Sequence, residues 1–205
     1  MWPDRETTEE LLREVSDGHP SAVNQLFDQH RESLRRMVSM RLDRALTRRV
    51  DASDIVQDVF VEANGRLADY LTDPRMPFHL WLRQLAQDRI IDMHRRHREA
   101  QRRSIDREQP IVQAAGGADS EYMLPLIDHE LTPAAATIRK EMEARFLSAM
   151  QLMEEADREV LFMRHFEHLG NAEVADALGI STAAAGMRHL RALRRLRSLL
   201  NQEEN

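Results

Sequence analysis

The sequence contains no cysteine, which excludes disulfides, zinc sites built on thiolates and cysteine nucleophiles. It has no run of 18 apolar residues, and its polar, acidic N-terminus lacks the apolar core of a signal peptide. A glycine-rich phosphate loop, a nucleophile elbow and a convincing pair of catalytic carboxylates are also missing. We therefore expect a cytoplasmic protein that does not insert into membranes and has no catalytic residues.

Residues that break helices are scarce, because the 205 residues include only seven glycines and seven prolines. Leucine, alanine, arginine, glutamate and methionine are abundant, and no segment alternates as a strand does. The composition and the apolar spacing predict an all-α fold. The first predicted helices run from Ser21 to about Leu46, from Asp51 or Ser53 (either of which can cap it) towards Leu71, and from Phe78 onward.

A stretch from about Ser104 to Pro133 contains three further prolines and a glycine pair, and it shows no sustained helical period. Such a composition is typical of a linker between domains. The helical pattern resumes at about Ala134. The sequence therefore predicts two small helical domains joined by a linker.

The net charge of −6 argues mildly against nucleic-acid binding by the chain as a whole. The basic residues are concentrated, however: residues 75–103 carry eight arginines and three acids, and residues 177–202 carry five arginines and no acid. All basic residues except Lys140 are arginine, which suits bidentate contacts to phosphate or guanine but is equally explained by a GC-rich genome. Two basic surfaces are therefore expected within an acidic chain.

Residues 171–193 have the pattern of a helix-turn-helix. Gly179 permits a left-handed turn, Ile180 fills the space between the helices, and Ser181 or Thr182 can cap the second helix. Met187 and Leu190 are expected to pack inward, while the start of the second helix faces the major groove and its arginines face phosphates. The candidate DNA contacts are Thr182, Ala183, Ala184, Gly186, Arg188, Arg191 and Arg194. The alternative is a helical hairpin with a solvated arginine face.

A loop with Pro74 and Pro77 precedes an arginine-rich helix that begins at Phe78 and carries Trp81. Aromatic rings and guanidinium groups together can hold unpaired bases and their backbone. Phe78 is better explained as a core residue, whereas core packing and base stacking are equally reasonable for Trp81.

The segment Asp51-Ala-Ser-Asp-Ile-Val-Gln-Asp-Val-Phe places apolar residues on one helix face. Asp54, Gln57 and Asp58 lie on another. This polar face is either solvated or docks on a basic helix of a partner.

Two histidine pairs, His94 with His97 and His165 with His168, are spaced three residues apart. This spacing is compatible with metal binding, but neither pair has a third ligand or the His-Glu-x-x-His pattern of zinc peptidases. We predict no metal and no cofactor. A metal-dependent enzyme remains an alternative, as does a helix-turn-helix repressor or activator that binds duplex DNA without a polymerase.

The three motifs, in this order and with these separations, resemble bacterial RNA polymerase sigma factors of the small extracytoplasmic-function (ECF) type. The resemblance implies that the Asp51 motif docks on core polymerase, that the Trp81 helix melts and reads the −10 element, and that the helix-turn-helix reads the −35 element. The implied polymerase contacts are Asp51, Asp54, Gln57 and Asp58. The implied −10 contacts are Trp81, Arg83, Arg89, Arg95 and Arg96.

The resemblance also implies a domain order: an acidic N-terminal extension at 1–20, a sigma region 2 domain at 21–103, a linker at 104–137, and a sigma region 4 domain at 138–200. The loop at about 68–77 corresponds to the one that receives a flipped −10 base. The small side chains from Ala183 to Gly186 predict few base-edge contacts to the −35 element. The implied partners are core RNA polymerase, promoter DNA, and an anti-sigma factor or other regulator.

Overall fold

A computed structural model describes residues 2–42, 50–105 and 133–202, except for the side chains of 97–105, 133–140, 143 and 202. Within these ranges every regular element is helical, and no helix is long and apolar enough to cross a membrane. The chain divides into two compact units, residues 1–117 and 118–205. The prediction of an all-α protein is therefore confirmed.

The first unit contains, in its described part, four helices: α1 (Arg5–Ser16), α2 (Ala22–Ser39), α3 (Ala52–Thr72) and α4 (Phe78–Ile105). Helix α2 packs against the other three, and α3 also packs against α4. Their apolar faces enclose one core. The residues at its centre include Leu26, Leu34, Val59, Ala63, Leu82 and Ala86.

Helix α1 lies in the segment that the sequence predicted to be an acidic extension. Asp4 caps the helix, since its carboxylate accepts the Glu6 and Thr7 N–H groups at 2.9 and 3.3 Å. Leu11 is only 7% exposed and belongs to the core, and the Trp2 ring lies 5.6 Å from the His79 ring. Residues 1–20 are thus partly built into the first unit.

The second and third helices follow the sequence pattern closely. Helix α2 ends at Ser39, and Leu46, where its end was predicted, lies outside the described residues. Asp51 rather than Ser53 caps α3: its carboxylate accepts the Ser53 N–H at 2.7 Å, which lowers the pKa of Asp51.

Two prolines end the helical pattern between α3 and α4, as predicted. The Tyr70 hydroxyl donates to the Met76 carbonyl at 2.9 Å and holds the loop against the end of α3. Phe78 is 2% exposed, which confirms its interpretation as a core residue.

The second unit contains α5 (Pro133–Gln151), α6 (Glu155–Leu161), a π-helical turn (Phe162–Phe166), α7 (Asn171–Leu178) and α8 (Thr182–Gln202). Helix α8 packs against α5, α6 and α7. The ends of the predicted linker are helical, because α4 includes Ser104 and α5 begins at Pro133. Residues 106–132 lie outside the described residues.

Candidate nucleic-acid and polymerase interfaces

Helix α3 has one buried and one polar face. Ile55 and Val59 are 1% and 0% exposed, whereas Asp54, Gln57 and Asp58 are all exposed to solvent. Val61, one turn further along the polar face, is 71% exposed. We call these four side chains the α3 face. An apolar side chain beside acidic groups gives this face the mixed character of a protein interface.

Asp51 is exposed but belongs to the N-terminus of α3, where it is the cap. Its carboxylate is occupied by the Ser53 N–H. Its position extends the negative charge of the α3 face by about one helical turn.

An ion pair joins two of the predicted surfaces. The Arg89 guanidinium on α4 bonds the Asp58 carboxylate on α3, and the side chains are 31% and 53% exposed. Asp58 was predicted to contact polymerase and Arg89 to contact DNA. The two groups instead partly neutralise each other.

Arg83 requires a correction. Its side chain was predicted to contact DNA, but the residue is 3% exposed, and its Nη1 donates to Gln87 Oε1 at 3.0 Å. It lies on the same stripe of α4 as buried Leu82 and Ala86, so its long stem packs into the first unit. Arg83 therefore has a structural position and offers no surface for DNA.

The other predicted arginines of α4 are accessible. Arg95 is exposed and pairs with Asp92 at 3.1 Å, one turn back on the same helix. Arg96 is also exposed. The basic surface of α4 is therefore carried by its C-terminal part.

Trp81 is half-buried, and its ring stacks on that of Tyr70 with centroids 4.6 Å apart and planes 26° apart. Phe78 tilts against the same indole at 5.5 Å. Burial raises the pKa of Tyr70 to about 12, so its hydroxyl stays protonated and keeps its bond to the loop. Trp81 is thus both a packed residue and a partly accessible ring, which combines the two readings of the sequence.

A cavity of about 470 Å³ lies between α1 and the loop that joins α3 to α4. Tyr70 and Phe78 contribute to its wall, as do Pro74, Met76 and Pro77 of the loop. We call it the α1 pocket. Its remaining lining comes from α1 and carries basic groups: Arg5, Thr8, Glu9, Leu12, Arg13 and Ser16, with Arg75 and His79 from the other side. Sequence reasoning found the loop but missed the α1 wall, although Leu11, Leu12 and Val15 already have helical spacing.

The turn of the helix-turn-helix has the geometry that the sequence predicted. Gly179 adopts φ 63°, which favours glycine, and the Ile180 N–H donates to the Ala175 carbonyl at 3.0 Å. The Ser181 hydroxyl accepts the Ala184 N–H at 3.2 Å and so caps α8. Thr182, the other predicted cap, is the first residue of the helix.

The start of α8 presents mostly small side chains to solvent. Thr182, Ala183 and Ala184 are exposed, and Gly186 is half-buried. Along the rest of the helix, Arg191 and Arg194 are exposed and Arg188 is half-buried.

The inward face of α8 differs from the prediction. Met187 and Leu190 were expected to pack inward but are 55% and 39% exposed, whereas Ala185 and Ala192 are fully buried. The close approach of α7 and α6 leaves room for a methyl group only, so alanine takes the buried positions. Met187 lies one turn from both Ala183 and Arg191 and therefore joins the face that was predicted to contact DNA.

The predicted histidine pairs are not brought together with a third ligand. Among the described residues, no group of three histidine, aspartate or glutamate side chains is placed to hold a metal. A different pair is in contact, because Nε2 of His165 lies 3.0 Å from Nε2 of His189. Burial and the nearby positive charge of Arg164 lower the pKa of both histidines, so both rings are neutral at pH 7.

These features define a class of protein: a two-unit helical DNA-binding protein whose first unit has an exposed acidic helix face. Residues 5–205 match the family model described as ECF sigma factor. The match spans nearly the whole sequence, and the chain therefore belongs to the ECF sigma factors, a family of RNA polymerase sigma factors.

Two curated relatives are similar over most of their length. The RNA polymerase sigma factor NccH of Alcaligenes xylosoxydans xylosoxydans is 27% identical over 207 residues, which cover 98% of each chain. The RNA polymerase sigma factor CnrH of Cupriavidus metallidurans is 28% identical over 153 residues, or 75% of each chain.

Solved structures show the same fold. CnrH in complex with the cytosolic domain of CnrY matches with a TM-score of 0.58 at 23% identity, covering 94% of this chain and 96% of that one. RpoE in complex with the anti-sigma factor NepR from Bartonella quintana matches with a TM-score of 0.51 at 16% identity, covering 83% and 91%.

Proposed function

We propose that this sigma factor binds core RNA polymerase and directs initiation at promoters that carry a −10 and a −35 element. The α1 pocket carries the proposal: a cavity of about 470 Å³, with aromatic walls and arginines at its edge, lies in the same chain as a helix-turn-helix. A repressor that reads intact duplex DNA has no need of such a pocket.

In this proposal, the α1 pocket receives a base that leaves the −10 duplex. Extruding a base costs a few kcal/mol, and stacking on an aromatic ring returns about 1–3 kcal/mol per base. Trp81 and Tyr70 supply rings, while Arg13 and Arg75 supply charge for the backbone. Melting therefore proceeds by capture of unpaired bases and needs no covalent chemistry from this chain.

The α3 face is the proposed polymerase contact. Asp54 and Gln57 are exposed and offer acceptors and charge to a basic helix, and Val61 adds apolar area at the same site. Charge complementarity of this kind mainly raises the association rate and makes it depend on salt. Action at the polymerase also assigns the protein to the cytoplasm.

Helix α8 is the proposed reader of the −35 element. Its small residues let the helix approach the base pairs closely, and Met187 and Leu190 can contact thymine methyl groups. Arg191 and Arg194 then hold phosphates, which fixes the register without reading sequence. Two weak readers in one chain bind their sites together through a high effective concentration.

We also propose a protein regulator for this chain. The solved relatives were captured with such partners, CnrH with the cytosolic domain of CnrY and RpoE with the anti-sigma factor NepR. The exposed apolar row Met187, Leu190 and Leu193 on α8 is a surface that a regulator would cover in competition with DNA.

Run-off transcription with core polymerase on a genomic library tests the proposed function. We expect discrete transcripts only when the protein is present, and a loss of at least tenfold for the double variant Asp54→Ala, Gln57→Ala. Asp69→Ala, which removes an exposed acid elsewhere on α3, is the matched control and should keep full activity. Absence of promoter-specific transcripts, together with a gel shift of duplex DNA without polymerase, would instead support a repressor or activator.

A further inference from the structure

The contact between His165 and His189 joins two separate elements of the second unit. His165 belongs to the π-helical turn and His189 to α8, and their rings lie 5.1 Å apart between centroids. The Nε2 atoms face each other at 3.0 Å. The pair is accessible from solvent, since His165 is exposed and His189 half-buried.

Both histidines are held by well-packed backbone. In the turn, the Glu167 N–H donates to the Phe162 carbonyl at 3.0 Å across five residues, and Phe162 and Met163 are buried. On α8, buried Ala185 and Ala192 lie one turn before and after His189. The two rings therefore meet through the fold and not through spacing on one helix.

The distance between the two nitrogens fits a shared metal ion. Zinc, nickel and copper bind histidine nitrogen at about 2.0–2.1 Å, so two ligands at a right angle around one ion are about 3.0 Å apart. A tetrahedral ion requires about 3.4 Å, which a small rotation of either exposed ring provides. Neutral imidazoles are the form that binds metal.

We propose that His165 and His189 form a two-histidine site for a divalent transition-metal ion such as Cu²⁺, Ni²⁺ or Zn²⁺. No third histidine or carboxylate among the described residues completes the site, so water fills the remaining coordination positions. The bound ion ties the π-helical turn to the DNA-reading helix. Magnesium and calcium, which prefer oxygen ligands, do not bind there.

Nearby positive charge sets a limit on the affinity. Arg164 acts on both rings and His168 on His165, although the Arg164 guanidinium is bonded to the Leu169 carbonyl. With two protein ligands and this repulsion, the site is weaker than a structural zinc site with four ligands.

The test measures metal binding by the full-length protein, independently of transcription. Cu²⁺ alone is followed by electron paramagnetic resonance, and Zn²⁺ alone by competition with a chromophoric chelator. We expect one site, with coupling to two imidazole nitrogens, whose affinity falls about tenfold or more in His165→Gln and in His189→Gln. His168→Gln and His94→Gln are matched controls that remove other histidines, and both should retain the affinity within twofold.

Thermal unfolding provides a second measurement, because an ion that binds only the folded pair stabilises it. Zn²⁺ should raise the Tm of the wild type and of His168→Gln, and Mg²⁺ should not. The proposal is overturned if His165→Gln binds Zn²⁺ as tightly as the wild type, or if the Cu²⁺ spectrum shows fewer than two imidazole nitrogens. Retained helical circular dichroism ensures that a lost site is not a lost fold.

Discussion

Arginine accounts for nearly all basic charge in this chain, yet individual arginines have different surroundings. Arg83 is buried and bonded to Gln87, Arg89 is held by Asp58, and Arg96 is exposed. A guanidinium that already has protein partners must give them up before it binds a phosphate. Only the exposed arginines therefore add directly to a nucleic-acid surface.

Replacing Arg83 should affect stability more than DNA binding. In Arg83→Ala the packed stem and its hydrogen bonds are lost, so we expect the free energy of unfolding to fall by about 1–3 kcal/mol. Arg96→Ala should leave stability within about 0.5 kcal/mol and weaken promoter binding by the holoenzyme. Urea denaturation and promoter titration separate the two effects. Unchanged stability of Arg83→Ala with lost promoter binding would restore its predicted role at the −10 element.

At the level of the element, the turns and caps were predictable because they depend on one or two residues. The Asp51 cap, the proline loop and the left-handed Gly179 each follow from local backbone requirements. The inward face of α8 was not predictable in this way. Leucine and methionine are more apolar than alanine, but the distance to α7 decides which side chains fit, and that distance is a property of the packed unit.

Two glycines of the helix-turn-helix should respond oppositely to the same substitution. Gly179 has φ 63°, so Gly179→Ala introduces left-handed strain and should destabilise the second unit by about 1 kcal/mol. Gly186 lies inside α8, and an added Cβ meets the Asn171 side chain at an ordinary 3.6 Å. Gly186→Ala should therefore stabilise the unit by about 0.5–1 kcal/mol through helix propensity.

Thermal and urea unfolding of both glycine variants measure this difference. A loss of stability in Gly186→Ala would mean that α7 and α8 pack more closely than the 3.6 Å contact indicates. In that case the same crowding that selects Ala185 and Ala192 would extend to a third position.

On the scale of the whole molecule, the acidic balance conceals the role of the N-terminal segment. Its charges suggested a solvated extension, whereas Leu11 enters the core and α1 forms one wall of the α1 pocket. The apolar spacing of Leu11, Leu12 and Val15 was visible in the sequence. Which loop these residues would meet was not, because it depends on contacts about sixty residues away along the chain.

The α1 wall yields a prediction about promoter opening. Arg13 is exposed at the edge of the pocket, so Arg13→Ala removes a charge from the proposed path of the unpaired strand without emptying the core. We expect several-fold weaker opening, measured as fluorescence of 2-aminopurine placed in the −10 element, with an unchanged Tm. Arg36→Ala is the matched control, because Arg36 is also exposed but pairs with Glu32 on α2, outside the pocket lining. Equal losses in the two variants would show that opening responds to total charge alone; a loss confined to Arg13→Ala would tie it to the pocket, and so to a helix that charge composition had set apart from the DNA-binding unit.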